Sequence, residues 1–295
     1  MDRNNFFDMY GLDEHYLMEL GINWVDLYNI LQDYKKSIDI YDARITYVAN
    51  VLREHPKVHS VKTRVKDPKR LLQKMVRKTI DRRKKYGVGF NFNIDNYKDE
   101  ITDIMGLRVI HIFKDDWEDI HNFITKKWNV IEIVANVREG DNVKTFEEKS
   151  IPVRSRVSGY RSVHYLIKYG AEHDLATIEI QVRTIFEEGY GEIDHQLRYS
   201  HDDDIPEVLA QNLMLLNRIV GSSDEMASLI NMLNQSFSDI ENKYSKKLKK
   251  KNDMLRDLRK KIYENDSLNK EERESIINDI DDVIWGDRPD NLRRK

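Results

Sequence analysis

The chain has 295 residues, 40% of them hydrophobic and 34% charged, with 49 Lys and Arg against 52 Asp and Glu. It is long enough for one large or two small domains, and the charge excess points to long solvated helices beside the core. With no cysteine, disulfides, cysteine nucleophiles and cysteine metal sites are all excluded. No run has the length of a membrane span or the make-up of a signal peptide, so a soluble cytoplasmic protein is expected. The net charge of −3 excludes nothing about polyanions, because residues 62–85 are strongly basic while residues 202–204 and 279–282 are acidic.

Trp24, Leu27, Ile30, Leu31, Tyr34, Ile38, Ile45, Val48 and Leu52 recur every three or four positions and predict a helix over 23–53, closed by His55-Pro56. Val58 to Val65 predicts a strand. Asp67-Pro68 predicts a helix start, and Leu71, Leu72, Met75, Val76 and Ile80 carry the helix to about Lys85. Arg70, Lys74, Arg77 and Lys78 lie at spacings of three and four, so several can share a face of it, and Arg64 and Lys66 precede its N-terminus. A solvated basic helix is the plain reading of this pattern. A phosphate clamp is the sharper one, since phosphates need several cations and a helix N-terminus adds to them.

Residues 86–97 predict a loop, and neither a dinucleotide fingerprint nor a Walker-type phosphate loop occurs. Leu107 to Phe113 predicts a buried strand, with Asp103 just before it and Arg108 inside it; a charge there needs a partner or a ligand. A helix over 115–128, a strand over 130–137 and a long polar loop over 138–156 follow. Val163, Tyr165 and Ile167, then Ile178, Ile180 and Val182, alternate with polar residues and predict two strands joined as a hairpin through 170–175. His164 on the first strand, and Glu179, Gln181 and Arg183 on the second, line its polar face, with Tyr160 just ahead of it.

A helix is predicted over 185–197, with Glu192 and His195 one turn apart. From Glu207 onward the chain reads as helical. Leu209, Leu213, Leu216 and Val220 mark one helix. Met226, Leu229, Ile230, Leu233, Phe237 and Ile240 mark a second, running into Lys246–Lys251; its stripe is expected to pack within the chain, being too short for several heptads. Asn269 with Glu272 caps a last helix. The expected fold is α+β, a mixed β-sheet flanked by helices, with a catalytic domain over 1–200 (core about 25–200) and a helical C-terminal extension over 201–295.

Asp103 and Glu179 lie at strand edges in different parts of the sheet, and such a pair can hold Mg²⁺ while substrate phosphates complete the octahedron. The basic cluster supplies charge for a triphosphate, and Tyr160 offers a ring for a base. Five pieces carry a more specific signal: Arg64-Val-Lys66 with Lys74, Asp103-Ile-Met-Gly-Leu-Arg108, Gly159-Tyr-Arg-Ser-Val-His164, Glu179-Ile-Gln-Val-Arg-Thr184 and Glu192-Ile-Asp-His195. In their order and spacing the chain resembles the synthetase domain of the RelA/SpoT family, the enzymes that make the alarmone ppGpp. It is more similar to the small single-domain synthetases than to the bifunctional enzymes.

The resemblance implies a nucleotidyltransferase-like fold and transfer of the β,γ-pyrophosphate of ATP to the 3′-hydroxyl of GDP or GTP, with release of AMP. It implies that Asp103 holds Mg²⁺, that Glu179 shares the metal or helps deprotonate the hydroxyl, and that Arg64, Lys66, Lys74, Arg77 and Arg108 grip ATP. Tyr160 would stack on the acceptor base, and His164 and Gln181 would line the acceptor side. Such transfer is mostly positioning and charge neutralisation.

The sequence departs from the family at Arg70, where serine is usual, and in the lead-in Ser150-Ile-Pro-Val-Arg-Ser-Arg-Val-Ser158, which lacks the usual Asn-Pro-Lys-Pro-Asn. Both acceptor classes therefore stay open. One alternative is a toxin-type relative acting on the 3′-CCA end of tRNA, which Arg154, Arg156 and Lys246–Lys251 would suit, or on an adenosine nucleotide. Another is a nucleotide-binding regulator without turnover. His15, His55 and His59 are not followed by Asp, so ppGpp hydrolysis is not expected; His173-Asp174 and His201-Asp202 read as loop polar residues. Small synthetases of this family often form tetramers, so a homo-oligomer is among the expected assemblies.

Overall fold

The computed structural model describes residues 3–170, 176–200, 205–265 and 267–286. The hairpin loop beyond Gly170, with His173-Asp174, lies outside them, as does His201-Asp202. The chain forms two compact units, Met1–Ser228 and Leu229–Lys295, and the helix Glu207–Tyr263 belongs to both. No helix of the described residues is long and apolar enough to cross a membrane.

The first unit begins with helices α1 (Arg3–Tyr10), α2 (Glu14–Glu19) and α3 (Trp24–Arg53). The first two are absent from the sequence expectation. They form because Phe6, Phe7, Tyr10 and Leu17 are buried, with Phe6 and Tyr10 ring centroids 5.2 Å apart at a spacing of four. Strand β1 (Ser60–Val65) leads into α4 (Pro68–Tyr86), whose start is capped by the Asp67 carboxylate accepting from the Arg70 N–H at 3.1 Å. Next come α5 (Tyr97–Glu100), β2 (Met105–His111), a 3₁₀ turn over Lys114–Asp116, α6 (Trp117–Lys127) and β3 (Asn129–Arg138).

The stretch expected as one long loop contains a short helix, α7 (Lys144–Glu148), and a strand, β4 (Val153–Arg156). β4 shows no apolar alternation because it pairs on one side only and at least three of its four residues are exposed. The hairpin is β5 (Ser162–Tyr169) and β6 (Ala176–Thr184), followed by α8 (Ile185–Ser200), α9 (Glu207–Tyr263) and α10 (Lys270–Gly286).

Among the described residues six strands make one mixed sheet in the order β1-β2-β6-β5-β3-β4, with β2–β6 and β3–β4 parallel and the other pairs antiparallel. Its register divides the side chains cleanly. Val61, Val109, Val182 and Val163 form one cross-strand row, and Leu107, Ile180 and Tyr165 the next; this face meets α3 and α4 in the core. The opposite face carries the row Lys62, Arg108, Gln181, His164 and the row Arg64, Gly106, Glu179, Leu166. Period two thus sorts apolar residues inward and places the charged ones together on the other side.

The two helices expected over 209–240 are one. Gly221-Ser222-Ser223 is a run of weak helix formers, but it stays helical because this part of α9 is docked on the sheet unit. Leu213, Asn217 and Asp224 are buried there. The expectation that the stripe from Met226 to Ile240 packs within the chain is overturned: Met226, Leu229, Ile230, Leu233, Phe237 and Ile240 are all exposed. In the second unit, α10 starts on the expected reciprocal cap between Asn269 and Glu272, buries Ile280 and Ile284, and is tied to α9 by Arg259–Asp281 at 3.0 Å.

Burial, reinforced by the charge of Glu187, pushes the Asp224 carboxyl up to about 7, and its Oδ1 meets no donor among the described residues. The folded chain keeps this proton where the unfolded chain gives it up near pH ~4, so stability falls as pH rises from there to about 7 and then levels. Asp224→Asn is therefore expected to stabilise the protein at pH 8 by roughly 4 kcal/mol and to change little at pH ~3.5, read by urea unfolding at both values. An equal gain at the two pH values would contradict this assignment.

Candidate active site

Asp103 leaves α5 just ahead of β2 and lies against two lysines. Its Oδ2 accepts from Lys66 Nζ at 2.7 Å and from Lys74 Nζ at 2.6 Å. Lys66 is held by its own backbone: its N–H donates to the Ile104 carbonyl at 2.9 Å and its carbonyl accepts from the Tyr34 hydroxyl. Burial works to raise the Asp103 carboxyl, but the two ammonium groups outweigh it and hold the pKa at about 2. Burial also lowers the pKa of Lys66. The other oxygen, Asp103 Oδ1, is buried with no hydrogen-bond partner among the described residues.

Glu179 stands on β6, in a row where Gly106 separates it from Arg64 and leaves the sheet surface open. Its carboxylate lies 3.2 Å from His164 Nδ1 and accepts from Gln181 Nε2 at 2.8 Å. Burial raises its pKa, yet the His164 and Gln181 contacts bring it below the ordinary value; the charge of Asp103 reaches it and opposes them. With Nδ1–H of His164 given to Glu179, Nε2 accepts from the Tyr160 hydroxyl at 3.1 Å. The Tyr160 ring lies edge-on to His164, with the Arg183 guanidinium 5.5 Å from its centroid. Arg183 Nη2 donates to Gln181 Oε1 at 3.2 Å, so one chain of contacts runs from Tyr160 through His164, Glu179 and Gln181 to Arg183.

Buried Arg183 is neutralised from above by α8. Glu188 is itself buried, and lies 2.8 Å from Lys62, 3.4 Å from Arg108 and 2.9 Å from Arg183, the last a charge contact outside hydrogen-bond alignment. Glu192, one turn on, pairs with Arg108 as well. α8 can lie this close because residue 191 is glycine: a Cβ there would sit 2.5 Å from Arg183 Nη1. Burial raises the Glu188 carboxyl, and Lys62, Arg183 and Arg108 bring it below its usual value.

The structure thus gathers Lys66, Lys74 and Asp103 at one cluster and Glu179, Gln181, His164 and Tyr160 at another. Arg108 joins through Glu188 and Glu192 rather than standing as an unpaired cation. Arg64, Arg77 and His195 are exposed. Lys78, which the sequence places on the basic face of α4 but not among the residues gripping ATP, lies one turn beyond Lys74 and is half-buried, its pKa lowered by burial and by Lys74. Glu188 had one sequence signal, a spacing of four from Glu192 directly after the strand, and its role follows only from what packs beneath it.

Among the described residues no three carboxylate or histidine groups converge as a ready-made metal site. The orphaned Asp103 Oδ1 and the free lone pairs of Glu179 nevertheless fit a divalent cation of the kind bound through one or two carboxylates with substrate phosphates and water.

Residues 63–204 match the family described as the region found in RelA/SpoT proteins. Among curated proteins the chain is similar to GTP pyrophosphokinase YwaC of Bacillus subtilis (strain 168), 23% identical over 70% of this chain and 95% of the relative. It is also similar to GTP pyrophosphokinase YjbM of the same organism, 27% identical over 60% of this chain and 74% of the relative. The fold is shared with the small alarmone synthetase 1 of Bacillus subtilis, at a TM-score of 0.50 and 22% identity over 70% of this chain and 96% of that one.

Removing one partner of a buried ion cluster leaves the others uncompensated. Glu188→Gln is expected to cost about 3 kcal/mol in urea unfolding. A loss under about 1 kcal/mol, the range of an exposed pair, would show that α8 is not held by this charge contact.

Proposed function

We propose that this protein is a pyrophosphokinase that transfers the β,γ-pyrophosphate of ATP to the 3′-hydroxyl of GDP or GTP. The observation that carries the reading is the electrostatically coupled pair Asp103 and Glu179, both ionised at neutral pH, the first held by a lysine cluster and the second joined to Tyr160 through His164. The names of YwaC and YjbM, GTP pyrophosphokinases that this chain spans to 95% and 74% of their length, support the same substrate pair.

In this reading Lys66, Lys74, Arg64, Arg77 and Arg108 receive the triphosphate. Arg108 exchanges Glu192, whose side chain is 48% exposed, for phosphate oxygen, while Glu188 keeps it in place. Tyr160 stacks on the guanine, and His164 and Gln181 fix the orientation of Glu179 toward the acceptor. The 3′-oxygen forms a bond to the β-phosphorus, the bond from that phosphorus to the α,β-bridging oxygen breaks, and AMP leaves with that oxygen. The hydroxyl proton passes to Glu179. Mg²⁺, held by Asp103 Oδ1 and Glu179, would supply charge neutralisation and polarise the phosphoryl group. Use of ATP with GDP or GTP would suit a cytoplasmic enzyme.

The test is a labelled-transfer assay with ATP carrying label on the γ-phosphate, Mg²⁺, and GDP, GTP, ATP or bulk tRNA as separate acceptors. Label is expected on GDP or GTP, abolished by EDTA and reduced roughly 10³-fold by Glu179→Gln and by Asp103→Asn. Label on tRNA or ATP alone would overturn the acceptor assignment, and no transfer to any acceptor would overturn the enzymatic one.

A further inference from the structure

The family match ends at residue 204, but the polar face of α9 continues into the site. Asn217 is buried, and both ends of its amide are used: Nδ2 donates to the Gly159 carbonyl at 2.8 Å and Oδ1 accepts from Arg161 Nη1 at 3.0 Å. These two residues flank Tyr160. Arg161 is fixed from the other side by Asp141, at 2.6 Å to Nε and 3.0 Å to Nη2. One turn along α9, Gly221 gives the guanidinium room, since a Cβ there would lie 3.1 Å from Nη2. Leu213, Asn217, Gly221, Asp224 and Ser228 form one stripe at spacings of four, four, three and four, and Ser228 Oγ accepts from the Lys114 N–H at 3.1 Å.

Gly159 is shaped to this contact. Its φ of +74° is one that glycine adopts readily, and a Cβ on it would come within 2.7 Å of the Asn217 amide. The Tyr190 hydroxyl donates to the Ser158 carbonyl just upstream. The backbone just ahead of Tyr160 is therefore pinned by two helices and the Arg161 side chain just after it by α9, and the α9 contacts come from outside the matched segment.

We propose that Asn217 is a positioning residue for the acceptor: it holds the Gly159–Arg161 segment so that the Tyr160 ring is presented to the acceptor base, which makes the start of the helical extension part of the acceptor subsite. This rests on the proposed pyrophosphate transfer. Asn217 lies against neither Asp103 nor Lys74, so the ATP side is untouched by it.

The test measures KM for GDP and for ATP, with kcat, in the full-length chain. Asn217→Ala is expected to raise the KM for GDP roughly tenfold and to leave the KM for ATP within about twofold. Gly159→Ala, which drives a methyl into the same contact, and Asn217→Asp, which loses the donor to Gly159, are expected to shift the GDP value in the same direction, so the test survives if one variant fails to fold. In a Tyr160→Leu background the effect of Asn217→Ala is expected to shrink, because both act through one ring. Equal rises in both KM values, or additivity with Tyr160→Leu, would overturn the proposal. Wild-type protein that transfers to GDP while all three variants match it would defeat this proposal alone; wild-type protein that transfers to neither GDP nor GTP defeats the reading of the site on which it rests.

Discussion

Asp103 accepts two lysines on a single oxygen, and the architecture around this cluster follows from keeping those three charges together away from bulk water. Each ammonium would be costly to bury alone and so would the carboxylate; together they are balanced only at short range. That requirement ties the end of β1, the first turns of α4 and the loop before β2 to one point. Tyr34 of α3 reaches the same point through the Lys66 carbonyl, so the longest core helix of the sheet unit is registered to it as well. The second carboxylate oxygen stays buried without a hydrogen-bond partner among the described residues, and the charge of Asp103 is felt at Glu179.

The same rule recurs one strand further on. Lys62, Arg108 and Arg183 come from three different strands, and mutual repulsion would splay them were Glu188 not placed between them. Glu188 therefore fixes how α8 crosses the polar face, and Gly191 lets it cross closely. Arg183 is thereby paired within the fold. It braces Gln181 and lies against Tyr160, so a residue that looks like a ligand cation along the strand serves the sheet's own charge balance.

α9 extends this logic to polar contacts without net charge. Asn217 and Asp224 are buried where an apolar stripe would ordinarily be sought, and Asn217 docks the helix by hydrogen bonding rather than by area. Farther along, the apolar side chains of the same helix are exposed, the reverse of the usual distribution. A hydrophobic pattern alone therefore misreads both halves of this helix.

Strand pairing by period two was legible from the residues themselves, because each step along a strand reverses the side-chain direction. The alternation in 162–184 put His164, Glu179, Gln181 and Arg183 on one face, and the register places them there. The cap at Asp67, the long helix 24–53 and the reciprocal cap at 269–272 were local signals of the same kind. What stayed hidden were features set by partners distant in sequence: the edge strand β4, which has no period because it buries almost nothing; Glu188, whose value depends on three strands beneath it; and the burial of Asn217, which depends on the turn at Gly159. Local periodicity and capping are written within a few residues and determine which elements form. Which charges end up paired and which polar helix face is covered are decided only when remote segments meet, because the cost of an unpaired buried charge is a property of its surroundings and not of its neighbours in the chain.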